Sequence, residues 1–185
     1  MKTIVVYYSL TGNTARICQA VAAALGADLA PIRAPLFKGK AWTLFWGGFM
    51  SIMNFFPRII GGPKDLSGYD LVVIGGQVWT GKLSLPLRAW LRQRPVLPAA
   101  AAFVLTSGEP DCPEQVFAEC ASLAGRVPLA RLHVSQALCE TGDPAQLAAP
   151  LISAINAACP SSFQKYSKRK TQVPSTVQTG PKPCV

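Results

Sequence analysis

The tightest constraint on this chain lies in its first 25 residues. Lys2-Thr3-Ile4-Val5-Val6-Tyr7-Tyr8 is a continuous β-branched and aromatic run with no polar alternation. That pattern belongs to a strand buried on both faces. Ser9-Leu10-Thr11-Gly12-Asn13-Thr14 then forms a turn cluster. From Ala15 onward Ile17, Ala20, Val21, Ala24 and Leu25 recur at three- and four-residue spacing, the period of an amphipathic helix. Gly26 follows as a helix C′ residue.

The same succession continues along the chain. Asp28 to Ile32 reads as a weak strand, Asp70 to Gly76 as a strong one, and Leu85 to Arg94 as a helix with Pro86 in its first turn. Ala100 to Leu105 is a strand, Glu114 to Leu123 a helix, Leu129 to Val134 a strand and Pro144 to Ala158 the last helix. Strands alternating with helices give a parallel sheet covered on both faces, so the expected fold class is α/β, a doubly wound sheet of five strands. Ligands of such sheets bind beyond the carboxyl ends of the strands, near the switch point. Three loops meet there, 9–14, 75–81 and 106–111, all rich in Gly, Ser and Thr.

The first loop has the chemistry of an anion site. A helix N-terminus presents unpaired N–H groups and a partial positive charge. Ser9, Thr11, Asn13 and Thr14 add neutral polar side chains, and Gly12 admits close approach of a ligand to the backbone. The loop lacks the Gly-Lys-Ser/Thr ending of a Walker A motif, and it is not the GxGxxG of a dinucleotide site. An ordinary strand-to-helix turn with a Ser or Thr cap accounts for the same residues.

Tyr8-Ser9-Leu10-Thr11-Gly12-Asn13-Thr14 resembles the phosphate-binding loop of the flavodoxin family, whose pattern is Ser/Thr-x-Thr-Gly-x-Thr. Val73 to Gly81 is similar to that family's second flavin loop, where a strand ends in a Gly-containing turn followed by an aromatic, and Leu83 to Leu91 resembles the helix after it. Thr106-Ser107-Gly108 is similar to the third loop. The likeness spans about residues 2–158. It implies noncovalently bound FMN and strand order 2-1-3-4-5. By matching positions, Ser9, Leu10, Thr11, Gly12, Asn13 and Thr14 would hold the phosphate. Gln77, Val78, Trp79, Thr80 and Gly81 would border the isoalloxazine, and Thr106, Ser107 and Gly108 would touch its pyrimidine edge. A flavin ring needs an apolar or aromatic face with backbone groups at its polar rim, and Trp79 supplies the face.

Charge divides the chain into two parts. Of 18 basic residues five, Lys165, Lys168, Arg169, Lys170 and Lys182, lie beyond Pro160, where there is no acid. Residues 1–159 carry 13 basic and 9 acidic side chains, a net of +4. The resemblance implies a flavodoxin-like FMN domain over 1–159, and the Ser, Thr, Gln, Lys and Pro of residues 160–185, without apolar periodicity, read as a basic disordered tail. So mild a charge on the folded part argues against a nucleic-acid partner. It also departs from electron-shuttling flavodoxins, which are usually strongly acidic. Gln77 stands where such proteins often carry Pro, and the third loop shows no clear second aromatic. These departures weigh against a simple shuttle.

Residues 41–57 form an uncharged run of 17 residues with six aromatics. The run is short for a membrane span. A helix packed on the sheet, roofing the flavin or forming a homodimer surface, suits it; Lys38, Lys40 and Arg58 at its flanks also suit weak membrane-surface contact. No secretory signal pattern opens the sequence, so a cytoplasmic location is expected. The six cysteines form no CxxC pair and His133 is the one histidine, so no metal site is expected. Cys18, Cys120, Cys139 and Cys159 read as small buried hydrophobes. Cys112 is a loop or helix-start residue, with a redox-sensitive thiol as the alternative. His133 reads as a satisfied strand histidine, and Glu109 and Asp111 as solvated loop charges. No catalytic side chain is assigned.

The functional expectation is an FMN oxidoreductase passing electrons between NAD(P)H and a quinone-like or other small acceptor. The alternatives are an electron carrier, docking on a reductase and a protein acceptor, and a flavin-free interaction or membrane-associated module.

Overall fold

The structure is a computed structural model that describes residues 1–35, 56–111 and 114–158. In chain order its elements are β1 (Thr3–Tyr8), α1 (Asn13–Leu25), β2 (Asp28–Ile32), β3 (Leu71–Trp79), β4 (Lys82–Leu83), α2 (Leu85–Arg92), β5 (Ala100–Ser107), α3 (Glu114–Ala124), β6 (Ala130–Ser135), α4 (Gln136–Thr141) and α5 (Pro144–Ala158). Most of the expected aromatic segment 41–57, the whole tail 160–185, Cys112 and Cys159 lie outside the described residues.

The sheet runs in the order β2-β1-β3-β5-β6, with all four neighbouring pairs parallel. With the short β4 set aside, this is the expected order 2-1-3-4-5. β4 itself was not anticipated. It pairs antiparallel with the end of β3, Val78 against Leu83 and Trp79 against Lys82. The sheet therefore has six strands rather than five.

Successive side chains of a strand point to opposite faces, and the core follows that rule. Ile4, Val6, Tyr8, Val72, Ile74, Phe103 and Leu105 face one side, where they meet Leu87, Trp90 and Leu91 of α2 and Val116, Phe117 and Cys120 of α3. Val5, Tyr7, Leu71, Val73, Ala102, Val104 and Val134 face the other, against Ile17, Cys18 and Val21 of α1 and Ala148, Leu151 and Ile155 of α5. Each large aliphatic or aromatic side chain buried in this way contributes about 1.5–3 kcal/mol relative to exposure. The central strands are apolar on both faces because both are covered.

Gly75 and Gly76 belong to β3, as the strand reading 70–76 expects, and the strand runs on through Trp79 into the expected loop 75–81. A Cβ on Gly75 would stand 2.3 Å from Cys18 Sγ, and one on Gly76 would stand 2.3 Å from Leu87 Cδ2. The two glycines let α1 and α2 approach β3 from opposite faces. The turn at that end is reduced to Thr80 and Gly81, with φ of 47° and 71°. Likewise β5 runs on through Thr106 and Ser107. The extra helix α4 follows β6 directly, its N-cap Ser135 accepting the Leu138 N–H at 3.4 Å.

Candidate functional site at the carboxyl ends of the strands

The first loop leaves β1 at Tyr8 and enters α1 at Asn13. Gly12 is the N-cap, with φ of 94°, and no side chain caps the helix. The first intrahelical bond runs from Arg16 N–H to Gly12 O at 3.0 Å. The N–H groups of Asn13, Thr14 and Ala15 therefore precede the helix ladder and face the loop. Ser9 Oγ accepts the Gly12 N–H at 3.1 Å. Its own proton stays available for a ligand, because a hydroxyl both donates and accepts.

Gln77, on β3, reaches back to this loop. Its Oε1 accepts the Leu10 N–H at 3.1 Å, and its Nε2 lies 3.5 Å from Thr11 Oγ1, at the long limit for donation. Gln77 is almost fully buried, so its amide braces the first loop. Its backbone carbonyl accepts the Ser84 N–H at 2.8 Å, which closes the turn around Thr80 and Gly81.

Thr14 is completely buried, and its Oγ1 lies 2.8 Å from Thr106 Oγ1 on β5. This pair ties the start of α1 to the start of the third loop. The sequence places Thr14 among free donors; the structure pairs its hydroxyl with that of Thr106, and either can be the donor. Thr11 is exposed, while Ser9, Leu10, Gly12 and Asn13 are half-buried.

Val78 and Trp79 are half-buried at the tip of β3, and Thr80 and Gly81 are exposed. The Trp79 ring stands edge-on to Tyr8, centroids 6.0 Å apart at 80°, a favourable aromatic geometry. The Tyr8 hydroxyl is buried without a hydrogen-bond partner among the described residues, and that burial pushes its pKa up. Beneath the β3–β4 turn, Glu119 of α3 accepts the Leu83 N–H at 2.9 Å and stands 2.9 Å from Arg88 Nε. The Arg88 contact is an ion pair without hydrogen-bond alignment. The Arg88 and Arg92 guanidiniums lie 5.7 and 4.1 Å from the Phe56 ring centre.

The third loop starts at Ser107. Ser107 Oγ donates to Glu109 O at 2.9 Å and lies 2.8 Å from His133 Nε2. Gly108, Glu109 and Asp111 are exposed. Burial pushes the His133 pKa down, against the opposing field of Asp111. His133, Glu119 and Arg88 were not legible as site neighbours: His133 and Glu119 meet their partners only through the pairing of β5 with β6 and the packing of α3 under β4.

The loops around 9–14, 77–81 and 106–108 thus converge at one end of the sheet, with direct bonds from the first to the second and from the first to the third. Cys18 and Cys120 are fully buried, and burial raises both thiol pKa values. Cys139 is also buried. Among the described residues no cluster of His, Cys, Asp and Glu could hold a metal ion, and no helix is long and apolar enough to cross a membrane.

No family model and no curated protein matches the sequence. Solved structures do match in fold. A flavoprotein from Lactobacillus acidophilus NCFM, solved in complex with FMN, superposes with a TM-score of 0.62 at 22% identity, covering 71% of this chain and 92% of its own. A candidate flavoprotein from Bacteroides eggerthii DSM 20697 gives 0.58 at 24%, covering 83% and 98%. The apo form of an NADH:FMN oxidoreductase gives 0.50 at 15%, covering 85% and 88%. The fold is therefore flavodoxin-like, and these neighbours are flavoproteins.

Proposed function

We propose that this chain is an FMN-binding redox protein that passes electrons between NAD(P)H and a quinone-like or other small acceptor. The carrying observation is the convergence of the three loops, with α1 entering the first of them uncapped by any side chain. A phosphate supplies the acceptor oxygens that such N–H groups lack.

The donor set suits the ligand. Ser9, Thr11 and Asn13, with the first-turn N–H groups of α1, would hold the phosphate through neutral hydrogen bonds. Gly12 has open space where a Cβ would stand, so the backbone is accessible. Leu10, Gln77, Thr14 and Thr106 would hold the loops in place. Val78, Trp79, Thr80 and Gly81 would border the ring, and Ser107 and Gly108 would meet its pyrimidine edge. When bound, FMN supplies the redox chemistry; the protein supplies binding, orientation and the electrostatics of the ring. The Lactobacillus flavoprotein was solved with FMN, and another neighbour is an NADH:FMN oxidoreductase. Both support the reading at the level of fold. A cytoplasmic location belongs to the same proposal.

The test is a visible absorption spectrum of the purified protein before and after adding FMN, then after adding NADH or NADPH with a quinone. A flavin spectrum with one FMN per chain, bleached by a nicotinamide and recovered by the quinone, is expected. A loaded protein that only a separate reductase can bleach would be a carrier. A colourless protein that leaves FMN unbound would overturn the flavin reading.

A further inference from the structure

The third loop carries a device that the flavin reading leaves unused. Ser107 is buried at the end of β5, and its hydroxyl has two neighbours, Glu109 O at 2.9 Å and His133 Nε2 at 2.8 Å. A carbonyl only accepts, so the single Ser107 proton goes to Glu109. His133 must then donate, which fixes its neutral form as the Nε2–H tautomer. The chain His133 → Ser107 → Glu109 spans the turn on which Gly108 sits. Protonation of His133 occurs at Nδ1 and leaves this chain of bonds intact while adding a positive charge beside the loop.

We propose that His133 is the positioning residue of the third loop: through Ser107 it holds the 107–109 turn in the shape that meets the flavin's pyrimidine edge, and it sets a titrating charge beside that edge. This rests on the flavin reading above. The charged groups around it are Glu109 and Asp111 on the same loop, Arg131 on its own strand and Glu114 on α3. Arg131 and Glu114 are paired with each other; the field of Asp111 favours the His133 cation, and burial opposes it more strongly. Electrons entering a flavin add negative charge at its pyrimidine end, and a cation there favours the reduced form. His133 would thus tie the potential of the bound flavin to pH.

The experiment compares FMN binding and midpoint potential across pH for the wild type, His133→Ala, His133→Gln and Ser107→Ala, with circular dichroism confirming that each is folded. Removing the His133–Ser107 bond should weaken FMN binding roughly fivefold to tenfold in the two alanine variants. The Gln variant, whose amide nitrogen stands where His133 Nε2 does and can still donate, should recover most of that loss. The wild-type potential should rise above that of His133→Gln as pH falls through the His133 titration. Wild-type FMN binding with equal affinity and parallel potentials in all variants would overturn this inference alone. A wild type that ignores FMN would overturn the flavin reading, and the role assigned to His133 with it.

Discussion

Thr14 and Thr106, 92 positions apart in the chain, hold their hydroxyl oxygens 2.8 Å from each other in the interior. Thr14 belongs to the first turn of α1 and Thr106 to the end of β5, the strand next but one to β1 in the sheet. The pair therefore locks the helix start to the sheet beyond β3. It fixes the first and third loops relative to one another before any ligand is present.

That lock gives a stability prediction. Thr14→Val or Thr106→Val leaves the opposite buried hydroxyl without its partner, so each should lower the unfolding free energy by about 1–3 kcal/mol. The double variant removes both polar groups and should cost clearly less than the two single effects added together. Urea unfolding of the four proteins measures this; additive losses would mean that the two hydroxyls do not depend on each other.

Gln77 makes a parallel case for the first loop. Gln77→Glu keeps an acceptor for the Leu10 N–H, loses the donor toward Thr11 and brings a negative charge to the loop proposed for the phosphate. The protein should fold normally, bind FMN roughly tenfold more weakly, and regain part of that loss at high salt as the repulsion is screened. Quenching of FMN fluorescence at two ionic strengths reads it. Wild-type affinity in this variant would place the phosphate away from Gln77.

The glycines of β3 are packing residues, and that too can be checked. Gly75→Ala drives a methyl against Cys18 Sγ, 2.3 Å away, and Tyr7 Cβ, 2.9 Å away. Overpacking of this kind costs about 1–3 kcal/mol. Adding Cys18→Ala removes the nearer clash, so the double variant should unfold at a higher temperature than Gly75→Ala alone. No recovery would show that the Tyr7 contact dominates.

Sequence patterning carried the fold further than the site. The continuous apolar runs of β1 and β3 and the helical period of α1 follow directly from burial on both faces, and they suffice to place the first loop at a strand end. β4 is two residues long and too short to show any period. α4, with six residues, spans under two turns. Gly75 and Gly76 read both as the end of a strand and as the start of a loop, because glycine marks close approaches and turns alike; only the position of Cys18 and Leu87 separates the two. The loop residues were legible, but their wiring was not. Gln77 to Leu10, Thr14 to Thr106 and Ser107 to His133 each depend on the order and register of the strands, which pattern alone does not supply.

The pH dependence of stability follows from His133, the one histidine of the chain. Burial lowers its pKa in the folded protein from the ordinary 6.5, so between the folded and unfolded values the unfolded chain binds more protons. Unfolding free energy then rises with pH in that window. The contribution is fully present above the unfolded pKa and is lost as pH falls below about 6.5 toward the folded value. His133→Gln has no such proton to take up, and its amide can keep the bond to Ser107. Urea unfolding between about pH 5 and 7 should therefore give a steeper fall toward acid for the wild type than for His133→Gln. Parallel slopes would mean that His133 titrates alike in the folded and unfolded chains, and that burial beside Ser107 is balanced by the field of Asp111.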